Sequence, residues 1–102
     1  MTVGQWLEAR SASAPPHLMA EVRMALGADL HADVRETPER CVEAAERVVA
    51  RLLAADRTGR DSALALLAAD ALVTYAFEAA ADAPGTIAAR AAAAMRTLAV
   101  LA

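Results

Sequence analysis

Lysine and asparagine are absent from this 102-residue chain, cysteine occurs once, and tryptophan, tyrosine and phenylalanine occur once each. Each scarcity removes a class of explanation. A lone Cys41 forbids an internal disulfide and fits a reducing cytoplasm. Three aromatic rings offer no stacking platform for bases, and a net charge of −3 with a pI near 5.3 offers no basic face for phosphates. Both features argue against nucleic acid as a partner. The four glycines form no phosphate-binding loop, and no Gly-x-Ser-x-Gly elbow is present. The N-terminus MTVGQWLEAR lacks a basic, then apolar, leader pattern, and the most hydrophobic stretch, 63–81, is interrupted by Asp70 and Glu78. These lacks set the expectation of a soluble, cytoplasmic protein without membrane attachment.

Alanine is plentiful, at 30 of 102 residues, and all ten basic residues are arginine. The arginine-only habit reads as a GC-rich bacterial coding sequence. Alanine favours helix while burying little area, so helices meeting across alanine faces approach closely. A chain of this length makes one domain, 1–102, that buries roughly 60 to 70% of its unfolded surface.

Helix signals then follow in order along the chain. Thr2 and Gln5 have the spacing of a capping box and open a short helix over 3–10. Pro15 and Pro16 break the chain, and Pro16 starts a second short helix, 16–26, which Gly27 ends. Residues 28–36, ADLHADVRE, show no clean period and read as a loop. Thr37 and Pro38 form an N-cap and first-turn pair for a long helix over 38–57, with Cys41, Ala45, Val48, Val49, Leu52 and Leu53 as its apolar half. Asp61 caps a central helix over 61–81, and the turn DAPG leads to a last helix over 84–101. The apolar stripe of that last helix is Ile87, Ala91, Ala94, Met95, Leu98 and Leu101. The expected fold is therefore all-α: a small antiparallel bundle of three long helices with two short N-terminal helices packed across them.

The central helix organises the rest. At about 100° per residue it places Leu64, Leu67, Leu72 and Tyr75 on one side and Leu66, Val73 and Phe77 on nearly the opposite side. The first set reads as core. Leu66, Val73 and Phe77, spaced i, i+7, i+11, are the candidate interface. Asp70, Thr74 and Glu78 make the only polar line along this helix and are the candidate polar site. Carboxylates held in apolar surroundings can act as acid or base, yet these two lie about 12 Å apart along the axis. The line therefore reads as a solvated edge.

Other chemistry is sparse. His17, His31 and Cys41 have no recognised metal spacing, so no metal and no cofactor is expected. Cys41 sits in an apolar stripe as an inert thiol. Arg40, Arg47 and Arg51 align on one helix edge, where Glu36 and Glu43, each four residues before an arginine, supply ion-pair partners. The stretch LAADALVTYAFE, Leu67 to Glu78, resembles the segment of isoprenyl diphosphate synthases in which a small residue and Asp precede an apolar run ending Ala-Phe-Glu. The Asp-Asp-x-x-Asp motifs of that family are absent, so neither a magnesium site nor membership follows.

Function thus reads as protein–protein interaction or homo-oligomerisation, with a second copy or another protein as partner, and not as enzymatic. The alternative is a helical carrier or enzyme that holds a small apolar ligand between helices, with Asp70 or Glu78 as its polar anchor.

Overall fold

The computed structural model describes residues 1–55, 59–82 and 84–101, with the side chains of 84–87 outside that description. Five α-helices form: α1 Val3–Arg10, α2 Pro16–Leu26, α3 Thr37–Ala55, α4 Arg60–Asp82 and α5 Pro84–Leu101. The fold is an all-α small helical bundle. Among the described residues no strand forms beyond a bridge between Thr2 and Asp33.

Local signals account for the short helices. Thr2 Oγ1 accepts from the Gln5 amide while Gln5 Oε1 accepts from the Thr2 amide, closing the capping box that starts α1. At the end of α2, Gly27 takes φ +53° with ψ −126°, a conformation that suits only glycine. The expected loop 28–36 is more ordered than its sequence suggests. Two 3₁₀ turns, Gly27–His31 and Val34–Glu36, span most of it. The extended N-terminus clamps this segment, because the Val3 amide donates to Ala32 O at 2.9 Å and the Val34 amide to Met1 O at 3.0 Å. Those partners lie some thirty residues apart, so no local pattern reveals them.

Both long-helix starts differ from expectation. Thr37 is helical rather than an N-cap, and its hydroxyl donates back to Val34 O at 2.7 Å, so α3 grows directly out of the second 3₁₀ turn. The Gly59 carbonyl accepts from the Ala63 amide at 3.0 Å, which moves the start of α4 to Arg60 and leaves Asp61 in the first turn. An acid there still complements the helix dipole. The expected end of α3 at Arg57 lies outside the described residues.

Helices α3 and α4 run antiparallel, with Ala65 beside Val48 to Ala55 and Val73 beside the earlier Val42 to Val49. They meet across small side chains. The buried residues of α4 are Ser62, Ala68, Ala69, Leu72, Ala76 and Ala79, and those of α3 include Cys41, Ala44, Ala45 and Val48. Met19, Val22 and Leu26 of α2 and Val3, Trp6 and Leu7 of α1 complete the core. By length and composition α4 is also apolar enough to cross a bilayer, and its alanine face is covered by α2 and α3.

The fifth helix behaves differently. Arg90 pairs with Glu39 and donates to Arg35 O at 3.0 Å, fastening α5 beside the start of α3. Beyond Arg90, residues 91–101 are all exposed, including Met95, Leu98 and Leu101 of the expected stripe. Ile87 of that stripe lies outside the described side chains. The radius of gyration is 14.6 Å, against about 13 Å for a compact chain of this length. An arm projecting from the body accounts for the excess.

Candidate interaction groove

The central helix buries neither of the two faces that its large side chains mark. Its inward face is the alanine row with Leu72, and the larger side chains flank it on both sides. Leu72 is fully buried, Tyr75 and Leu64 are half-buried, and Leu67, expected in the core, is 58% exposed. The reason is angular. At about 100° per residue Leu67 lies on the side of α4 away from the buried row of Ser62, Ala68, Ala69, Leu72, Ala76 and Ala79. Leu66 and Phe77 stay in solvent at 55% and 74% exposure, and Val73 beside them is 39% exposed.

On α3 the same thing happens. Val49 and Leu53, expected on the buried half, are exposed, Leu53 at 77%. Together with Val42 they form a line spaced i, i+7, i+11, identical in spacing to Leu66, Val73 and Phe77 on α4. In each line an acid stands at i+4: Glu46 between Val42 and Val49, and Asp70 between Leu66 and Val73. Spacings of four, three and four residues describe the seam that a helix presents to a packing partner.

Val42, Val49 and Leu53 of α3 and Val73 of α4 wall one open groove of about 530 Å³, floored by Ala45 and Ala69, with Glu46 and Asp70 at its sides, and Leu66 and Phe77 continue the α4 line outside its lining. Neither acid has an ion-pair partner among the described residues. A repeated spacing on two adjacent helices was readable in the sequence, but Val42 and Glu46 carry no meaning there until α3 and α4 are set side by side.

The polar line comes apart in space. Asp70 belongs to the groove, and Thr74 Oγ1 donates to the Asp70 carbonyl at 3.0 Å, an internal helix bond. Glu78 turns toward α1, where its Oε2 lies 3.6 Å from Arg10. Asp70 and Thr74 are exposed and Glu78 is half-buried, so these three side chains do not converge on a common point.

Among the described residues no group of three His, Cys, Asp or Glu side chains is placed to hold a metal. Cys41 is fully buried, and burial pushes its thiol up to about 11, the behaviour of an inert core cysteine. Two of the three arginines on the α3 edge, Arg40 and Arg47, are engaged. Arg40 meets Glu36, Glu43 and Asp29, while Arg47 reaches across to Ala25 O at 2.9 Å and to Asp29, rather than to Glu43.

Sequence reasoning missed a second cluster, at the opposite end of α4. Trp6 Nε1 donates to Asp82 Oδ2 at 2.9 Å, Arg10 pairs with the same carboxylate, and the Arg10 guanidinium lies 5.0 Å from the Trp6 ring. Tyr75 meets Trp6 edge-on at 6.1 Å between centroids and donates to Met19 Sδ at 3.7 Å. This cluster pins α1 to the end of α4. Comparison with family models, with curated proteins and with solved structures finds no match to this chain.

Proposed function

We propose that this chain is a small protein–protein interaction module that self-associates through the groove shared by α3 and α4. One observation carries the reading: two helices side by side present the same apolar seam to solvent, with Leu53, Leu66 and Phe77 more than half exposed. A contiguous apolar surface of this kind marks a partner site on a soluble protein. A cytoplasmic setting agrees with the unpaired, buried thiol of Cys41. Light scattering over a dilution series tests it. A mass that rises toward twice 10.6 kDa with concentration supports self-association, and 10.6 kDa throughout the high-micromolar range removes it.

A small apolar ligand is the second reading, favoured by the position of the groove beside Asp70. Small-molecule sites enclose most of their ligand, whereas this groove is open along its length, which suits a helix better. Native mass spectrometry separates the two, because a ligand adds mass to the monomer and a partner chain doubles it.

A further inference from the structure

Resting on that reading, we propose that the occupant of the α3–α4 groove is the α5 arm of a second copy, exchanged reciprocally between two chains. Each chain displays one unfilled apolar groove and one unpacked apolar arm. The arm from Ala91 to Leu101 is about 15 Å long and the groove from Val42 to Leu53 about 17 Å, by helical rise. The lengths match.

Charge favours this occupant over a second groove docked face to face. The six seam residues with Met95, Leu98 and Leu101 of the arm expose roughly 1,000 Å² per copy, enough for a standard interface of about 800 Å² per partner. Face-to-face docking gathers Glu46 and Asp70 from both copies, four carboxylates in one apolar seam. Like charges so placed oppose association. Within the arm, 91–101, no side chain is acidic and Arg96 is the one charged side chain. It brings positive charge to a groove bordered by two carboxylates without ion-pair partners among the described residues.

The arm of the same chain is held away from its own groove. Helix α5 is unbroken from Pro84 to Leu101, and Arg90 is fastened to Glu39 and to Arg35 O. While that fastening stands, residues beyond Arg90 cannot turn back onto their own α3.

The test is the full-length chain carrying both Val49→Cys and Leu98→Cys, oxidised mildly and mapped by peptide mass spectrometry. Cys41, buried and with its thiol raised, stays out of the reaction. A 49–98 disulfide between two chains is the result expected. In parallel, Leu98→Glu with Leu101→Glu, both at exposed sites, should weaken the dimer at least about tenfold. A 49–98 link within one chain, running as monomer on a non-reducing gel, overturns the exchange. A 49–49 link in its place, with a dimer indifferent to the two glutamates, also overturns it and leaves the self-association reading standing. A chain that is monomeric by light scattering and forms no link between chains removes both.

Discussion

The indole Nε1 of Trp6 donates to Asp82 Oδ2 across 2.9 Å, joining the first helix to the last residue of α4. That bond first, and the Arg10 partner second, hold the Asp82 carboxyl below its ordinary value of 3.8. A carboxyl lowered by folding contributes stability that is complete above its unfolded value and is lost as pH falls through the folded one. Asp82→Asn is therefore expected to lower the urea midpoint at pH 7 and to have a shrinking effect toward pH 3. Equal offsets at both pH values would contradict the assignment.

Leu72 and Leu67 stand five residues apart on one helix and differ fully in environment, the first buried and the second exposed. Leu72→Ala should cost about 2 to 5 kcal/mol, and Leu67→Ala less than about 0.5 kcal/mol. Urea denaturation of the two variants checks the pair. Similar losses would mean that the alanine row is not the inward face of α4.

Gly27 takes a positive φ, and a Cβ built there meets nothing within 4 Å. Conformation alone then sets the cost of a side chain, so Gly27→Ala should destabilise by about 1 to 3 kcal/mol. Gly4 differs, since its φ is ordinary and a Cβ there would stand 3.1 Å from Leu30 O, so that a side chain requires the 3₁₀ segment to give by a few tenths of an ångström. A neutral Gly27→Ala in thermal melts would show that the end of α2 adopts another turn.

Cys41 offers a probe of the core. With its thiol fully buried and raised to about 11, native protein at pH 8 should label with a thiol reagent only as fast as the chain opens, and completely in urea. Rapid labelling of the native chain would place Cys41 outside the core.

The sequence discloses elements well because their signals are local. Thr2 with Gln5, Pro16, Gly27 and the long apolar periods place all five helices, with every end that falls among the described residues within a residue or two. Assigning faces is harder, because it depends on which side of each helix its neighbours cover. Leu67, Val49 and Leu53 look like core by hydrophobicity, yet the inward faces of α3 and α4 are taken mostly by small side chains and these three lie off those faces. Leu66, Val73 and Phe77 stand out in the sequence as a line, but the matching line of Val42, Val49 and Leu53 gains its meaning only from the antiparallel pairing. The Trp6–Asp82 bond spans 76 residues and has no local signature.

Sedimentation equilibrium at neutral pH tests the central claim, that the α3–α4 seams bind another copy. Wild type should approach twice 10.6 kDa as concentration rises, and the paired variant Leu53→Glu with Val73→Glu, both lining the groove, should remain at 10.6 kDa. Leu67→Glu, at an exposed leucine of α4 outside the groove, should associate as wild type does. A wild-type mass of 10.6 kDa into the high-micromolar range, or a Leu67→Glu variant as monomeric as the pair, would contradict the account.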